Sequence, residues 1–490
     1  MNNPRPMRHA HFRPARVMAL MAALAVSNAD AAPWLAPGDL TVRHDIELLA
    51  DAGVLRGPIT TWPISWPDVA RDVNAARLPD DASDALRQAL VRLQGAARRE
   101  SRAGLGAAGV RVAGARDPDP LRGFSDTPRE EGELELQASW MGDRLAANLQ
   151  VTGVLDASDD QSARLDGSYV GLNVGNFMIS AGWMKRWWGP GWEGSLILGN
   201  AARPIPSVRV ERNYTDAFGT KWLRWIGPWR ASLELGQMEG SDVAVPDVRF
   251  IAARFNFRPR PWLEIGLSRT AQWCGEGRPC GWRTFKDLLI GHDNTDASFG
   301  TNDEPGNQLA GYDFRLASPW KPLPLAFYGQ FIGEDEAGGL PAKFLGQLGA
   351  ESWVSTPWGG VRGHVEFADT SCNFTRSNPM FGCAYRHHLY PQGYTYRGQS
   401  IGHALGGDGR MYSLGALLVR PAGDTVSVLL RKADLARGTP TPNRLRGVEV
   451  EYNRPFARGE LRLGLGYNDF DLEPAEGADF TGFVEWRQRF

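Results

Sequence analysis

Residues 183–206 read WMKRWWGPGWEGSLILGNAARPIP and hold the densest group of chemistry-bearing side chains in the chain. Trp187, Trp188 and Trp192 surround Gly189-Pro190-Gly191, with Lys185, Arg186 and Arg203 nearby. An indole face is a platform for a sugar ring, and arginine and asparagine supply directional hydrogen bonds. The same composition also suits a belt of interfacial aromatics or a packed plug. A second group falls in GYTYRGQSIGHALGGDG, residues 393–409, where Tyr394, Tyr396, Arg397, His403 and Asp408 follow Tyr390. Aromatic, cationic and acidic groups together suit an anionic polysaccharide, and an ordered loop packed over the mouth of a larger body is the competing reading. The candidate polysaccharide contacts are therefore Trp187, Trp188, Trp192, Arg203, Tyr394, Tyr396, Arg397, His403 and Asp408.

Catalytic and metal chemistry find little support. The sequence contains no G-x-S-x-G, no H-E-x-x-H and no P-loop. His292-Asp293 could mimic an acid/base pair, but strand neighbours point to opposite faces and the pair sits in an Asn/Asp-rich stretch. His387-His388 fails the same geometric test as a metal pair. Asp293, Asp296, Asp303 and Glu304 form an acidic run that lacks the fixed ligand spacing of a calcium loop. Cys274/Cys280 and Cys372/Cys383 are two local pairs, and in an exported chain they read as two loop disulfides. Neither pair has zinc-site spacing. No catalytic residue, cofactor or metal is expected, and a formal net charge of -2 gives no footprint for nucleic acid.

The elements that must position these groups begin with a leader. Arg5, Arg8, Arg13 and Arg16 precede the apolar run VMALMAALAV at 17–26, and Ala29-Asp30-Ala31 is a small-x-small site. That layout predicts a signal peptide over 1–31 with cleavage after Ala31. Residues 33–102 carry helical punctuation. Asp39 can cap a helix bearing Val42, Ile46 and Leu49, with Gly53 as its stop. Ser65 and Asp68 form a capping box for a helix from about 66 to 76, and Ser83 can cap a third with Leu86, Leu90 and Leu93 on one face.

From about residue 105 the hydrophobic period becomes two. Leu134, Leu136, Ala138 and Trp140 alternate with Glu133, Glu135, Gln137 and Ser139, and Val361, Val365 and Phe367 alternate with Arg362, His364 and Glu366. Val448, Val450 and Tyr452 against Glu449 and Glu451, and the final segment to Phe490 against Glu485 and Arg487, repeat the pattern. A soluble sandwich and an outer-membrane barrel both produce it. Three features favour the barrel: strands near the ~10 residues a tilted crossing needs, short Pro/Gly turns alternating with long polar stretches (276–307 and 369–410), and a chain that closes on Phe490. The short turns are expected at Gly227-Pro228, 258–261, 319–322, 357–360, 421–423 and Pro455. The terminal Phe490 resembles the sorting signal of bacterial outer-membrane barrels, which would make the barrel assembly machinery a partner. With 57 Gly and 18 Trp against 11 Tyr, the composition also suits membrane-interface girdles. The prediction is an all-β transmembrane barrel of about 18 antiparallel strands over 105–490, with a small α-helical periplasmic module over 33–102.

Three segments resemble one known family. RWWGPGWEGSLILGNAARPIP looks like a signature of the Wzi family of capsule assembly proteins, YTYRGQSIGHALGGD resembles a second family segment, and RHDIELLADAGVLRGPITTWPISWPDV resembles its helical opening. The resemblance implies an outer-membrane barrel of 18 strands with a periplasmic helical bundle in a Gram-negative bacterium. It implies a non-enzymatic, lectin-like role in binding capsular or extracellular polysaccharide and anchoring a capsule. The alternative is a porin-like channel for small solutes or exported polymer. Its charged lumen would be lined by Glu133, Glu135, Arg362, Glu366, Glu449, Glu451 and Arg487.

Overall fold

The structure, a computed structural model, describes residues 33–101, 103–290, 306–320, 323–337, 340–471 and 477–490. The expected signal peptide with Ala31, the His292-Asp293 pair and the acidic run at 293–304 lie outside the described residues.

Three helices open the described chain: α1 (Leu40–Asp51), α2 (Trp66–Ala75) and α3 (Asp84–Glu100). Each starts where a short polar side chain satisfies an orphan amide. Asp39 accepts from the Val42 amide at 3.0 Å, Ser65 from Asp68 at 3.4 Å and Ser83 from Leu86 at 3.4 Å. The expected capping box at Ser65 is only half made. The Asp68 carboxylate turns away and accepts from the Thr215 hydroxyl at 2.6 Å and from Arg71 at 2.7 Å. Ile46, Leu49, Val73 and Leu93 form the buried core of this module, to which Trp62 and Trp187 also belong.

Eighteen strands follow. They are β1 (Gly104–Arg116), β2 (Gly132–Met141), β3 (Leu145–Leu155), β4 (Ala163–Arg164 continued by Tyr169–Val174), β5 (Phe177–Gly182) and β6 (Ser207–Arg212). The next six are β7 (Trp229–Gln237), β8 (Arg249–Arg260), β9 (Leu263–Trp273), β10 (Gly306–Ala317), β11 (Leu325–Ala337) and β12 (Leu340–Thr356). The last six are β13 (Gly359–Asp369), β14 (Arg410–Val419), β15 (Thr425–Leu435), β16 (Asn443–Phe456), β17 (Gly459–Phe470) and β18 (Gly477–Arg489). Both parts of β4 pair with β3, so they count as one interrupted strand of an antiparallel ring. The ring closes where β18 pairs with β1, from Gly482 opposite Arg116 to Arg489 opposite Gly109. Closure leaves no sheet edge with unpaired amides, as lipid requires.

The direction of the side chains separates barrel from sandwich. The apolar residues of the alternation face out: Leu134 is 51% exposed, Val365 50%, Val484 55% and Leu465 73%. Their charged neighbours Glu133, His364, Glu366 and Glu485 are buried. An aqueous protein would invert that order, so hydrocarbon is the medium that matches the outer wall.

The two ends differ. At the end where β1 begins and β18 finishes, turns such as 142–144, 175–176, 261–262, 357–358 and 457–458 are brief. Gly227-Pro228 was expected to be such a turn, yet it ends a connection that runs from 213 to 228. At the opposite end lie long connections, among them 117–131, 183–206 and 370–409. The helical module sits in the short-turn end. Arg315 on β10 pairs with Asp51 at 2.6 Å, and Glu264 on β9 accepts from the Ile59 amide at 2.9 Å and the Thr60 hydroxyl at 2.6 Å.

Candidate functional site

The 183–206 segment leaves β5 at the long-loop end and turns down into the lumen, where it meets the module rising from the other end. Trp187 and Trp188 pair with Trp62 and Thr61 as a two-residue ribbon inside the barrel. The Gly189-Pro190-Gly191 turn is gripped by Arg43 of α1, whose guanidinium donates to the Pro190 carbonyl at 2.6 Å and the Gly191 carbonyl at 2.8 Å. Only glycine fits there: a Cβ on Gly191 would stand 2.1 Å from the Gln347 amide nitrogen. Arg43 also lies 4.1 Å from the Trp192 ring centroid, while His364 stacks on Trp192 at 5.2 Å. Trp192 is further fixed by its amide, donating to Glu366 at 2.8 Å, and its indole, donating to Glu351 at 3.0 Å.

The second group caps this segment. Tyr385, Tyr390 and Tyr394 descend from the 370–409 loop, and their hydroxyls donate to main-chain carbonyls. Tyr385 reaches Leu196 at 2.7 Å, Tyr394 reaches Ile197 at 2.8 Å and Tyr390 reaches Cys274 at 3.0 Å. His403 packs beside Gly194, where a Cβ would stand 2.1 Å from the imidazole. Burial lowers its pKa to about 4, so the ring is neutral, and its Nδ1 accepts from the Leu405 amide at 3.2 Å. Asp408, itself buried, accepts from the Gly382 amide at 2.8 Å. Arg203 is held by Asp166 at 2.8 Å and Asp159 at 2.5 Å, and Arg397 lies 5.5 Å from the Tyr396 ring.

Of the two readings of these residues, the packed plug matches their burial. Trp187, Trp188, Trp192, Tyr394, Tyr396, His403 and Asp408 are all buried, and Arg203 is spent in its two ion pairs. Of the expected set, only Arg203 and Arg397 stay partly open to solvent. Their shared role in the structure is to pack a plug. What remains open above them is a crown: Arg376, Arg386 and His388 are exposed, with Phe381 45% and Met380 43% exposed beside them. The disulfide Cys372–Cys383 ties this crown into a loop, and Cys274–Cys280 ties the neighbouring connection, as the spacing predicted. His387 and His388 sit in this loop and not on a strand, and their rings stack at 4.6 Å.

The lumen charges are likewise engaged. Glu133 pairs with Arg111 at 2.6 Å, Arg362 with Glu351 at 2.7 Å, Glu451 with Arg462 at 3.1 Å and Arg487 with Glu485 at 3.3 Å. Glu449 pairs with Arg431 at 3.3 Å, and Glu135 stands 3.7 Å from Arg111. Glu366 accepts from the Tyr328 hydroxyl at 2.9 Å. A cavity of about 60 Å³ persists between Arg122, Trp192, Glu193, His364 and Arg431. That volume is room for a few waters and too small for a sugar ring. Sequence reasoning missed Arg43, the residue that joins module to plug. A signal existed: only six of the 54 basic residues are lysine. Arginine's fixed fork suits buried carboxylates and carbonyls, whereas lysine suits a wet channel wall.

A closed ring with an apolar exterior, an ion-paired interior and a plug built from its own loops defines an outer-membrane β-barrel with an occupied lumen. Comparison with known proteins narrows the class. The chain belongs to the capsule assembly protein Wzi family, whose profile matches residues 102–481. It is 34% identical over 489 residues to an uncharacterized 55.8 kDa protein in the cps region of Klebsiella pneumoniae, covering 96% of this chain and 93% of that one. It is also similar to the solved structure of Wzi from Escherichia coli, an outer membrane protein involved in Group 1 capsule assembly and described as a carbohydrate binding β-barrel. That match has 29% identity and a TM-score of 0.80 over 94% of this chain and 100% of that one.

Proposed function

We propose that this protein is a non-enzymatic surface lectin that binds capsular or extracellular polysaccharide and helps anchor and assemble the capsule. The observation that carries the reading is the filled lumen. A barrel blocked along its length by its own loops is a rigid mount for a binding surface, and the same observation speaks against a porin-like conduit. The carbohydrate binding described for the Escherichia coli homologue supports it. The crown of the 370–409 loop is the contact surface, with Arg376, Arg386, His388 and Arg397 for acidic groups and Phe381 for ring faces. Trp187, Trp188, Trp192, Arg203, Tyr394, Tyr396, His403 and Asp408 hold that crown in shape from below. Each sugar contact is weak, and repetition along the polymer raises retention through effective concentration. In this reading the helical module faces the periplasm and the crown faces the medium. The barrel assembly machinery inserts the chain by way of the strand that ends on Phe490.

Deletion of the gene is expected to leave polymer synthesis intact and release polymer into the medium, and Arg376→Ala with Arg386→Ala is expected to do the same with the barrel fully assembled. The purified protein in a planar bilayer is expected to show no steady current. A large open current together with normal polymer retention in the deletion strain would overturn the reading in favour of the channel.

A further inference from the structure

The connection at 213–228 is the longest at the short-turn end among the described residues, and it contains GTKWLRWIGP at 219–228. A single 3-10 turn, Arg224–Ile226, organises it, with the Leu223 and Arg224 amides donating to the Thr220 carbonyl at 3.2 and 3.1 Å. Gly227 then reverses the chain at φ 72°, where a Cβ would meet the Arg258 carbonyl oxygen at 1.9 Å. The loop therefore returns tightly to the wall and holds its tip outward. Trp222 is 83% exposed, Trp225 61% and Leu223 38%. Lys221 and Arg224 are exposed beside them, and among the described residues neither has a carboxylate within ion-pair distance.

The direction of the tip is fixed by one contact. The Trp225 ring meets Phe257 edge-on, with centroids 6.2 Å apart at 90°. Phe257, only 9% exposed, lies between the inward Asn256 and Arg258, so the pleat places it on the outward face of β8. The tip thus folds back over the outside of the barrel and not under its lumen. Around the same rim stand Trp262, Trp320 at 70% and Trp358 at 72% exposure, and Phe456 at 53%. Such a ring of outward aromatics marks the level of a membrane interface. At that level an indole gains from the headgroup layer, and a flanking cation meets lipid phosphate.

We infer that residues 219–226 form an interfacial foot seated in the phospholipid leaflet at the short-turn end. Trp222 and Trp225 lie among the headgroups, and Lys221 and Arg224 sit on lipid phosphates. The foot prefers anionic phospholipid. The inference rests on the membrane-spanning reading of the barrel.

The test uses the full chain in lipid nanodiscs of phosphatidylcholine with increasing phosphatidylglycerol. The signal is the tryptophan emission lost in a Trp222→Phe/Trp225→Phe variant, compared with a Trp358→Phe control. Lipids brominated near the headgroup are expected to quench that component, and aqueous acrylamide is expected to leave it largely untouched. Its dependence on phosphatidylglycerol is expected to weaken roughly fivefold per cation removed, so about twenty-five-fold in Lys221→Gln/Arg224→Gln. Acrylamide quenching with silent bromolipids, in a barrel that has inserted, would overturn the foot, leave the barrel standing and point to a soluble partner on this tip. Quenching by lipid with no effect of Lys221→Gln/Arg224→Gln would overturn the phosphate contact. A chain that stays dissolved without detergent or lipid would overturn both foot and barrel.

Discussion

Truncating Arg43 tests how the plug is held. Its guanidinium is buried, donates to two carbonyls of the 189–191 turn, pairs with Glu47 at 2.8 Å and covers the Trp192 ring. Hydrogen bonds from a charged donor contribute about 1.5–3 kcal/mol each, and a desolvated cation over an indole about 2 kcal/mol. Part of this is recovered in Arg43→Ala, because Glu47 keeps Arg362 at 2.9 Å. Breaking one partner out of a buried network typically costs about 3–5 kcal/mol. We therefore expect the 187–194 segment to open about 4 kcal/mol more easily, a rise near thousandfold in amide exchange. Arg43→Lys, a single point charge that cannot serve both carbonyls, should fall in between. Hydrogen exchange read by mass spectrometry on the micelle-folded protein resolves the segment. Less than a threefold change at 187–194 in Arg43→Ala, with the barrel strands protected as before, would refute the latch.

Other outcomes follow from the same geometry. Gly194→Ala drives a methyl into the His403 ring, 2.1 Å away, and should lower the temperature at which the barrel loses its compact gel migration, a cost of at least about 2 kcal/mol. His403 is neutral in the fold with a pKa of about 4, against an ordinary value near 6.5, so the unfolded loop takes up a proton that the folded loop refuses. Loop stability should be full above pH 6.5 and decline by about 3 kcal/mol as pH falls to 4. Proteolysis of the 370–409 loop at both pH values measures this, and His403→Gln should flatten the difference. Replacing Cys372 and Cys383 with serine removes a closure spanning 11 positions and should cost the crown about 3 kcal/mol. Polymer retention is then expected to drop while the barrel migrates normally.

The strand pattern was legible because period-two alternation is imposed by the pleat itself, whatever medium lies outside. Strand number, the three helix caps and both disulfides followed from spacing, which is local information. The destination of the tryptophans was not local. A Trp-rich turn reads alike whether it faces sugar, lipid or a neighbouring loop, and only the lumen position of Arg43, Gln347 and His364 shows that Trp187 and Trp192 are enclosed. The charged lumen misled for a related reason. Glu133 or Arg362 taken singly suggests water, and their counter-ions Arg111 and Glu351 become neighbours only through strand pairing and ring closure. Asp68 likewise fits a local capping box, but Thr215, 147 positions away, outcompetes the Ser65 amide for its carboxylate.

The hydroxyl bonds from Tyr385 and Tyr394 to the 196–197 carbonyls, the Trp187–Trp62 ribbon and the Arg43 grip lie in series along the barrel axis. Tension applied at the crown is therefore carried inward to the three-helix base, which passes it to the wall at the neighbouring strands β9 and β10 through Glu264 and Arg315. Drag on a long chain tugging at the cell would load an internal cable, and the outer loops would not have to bear it alone.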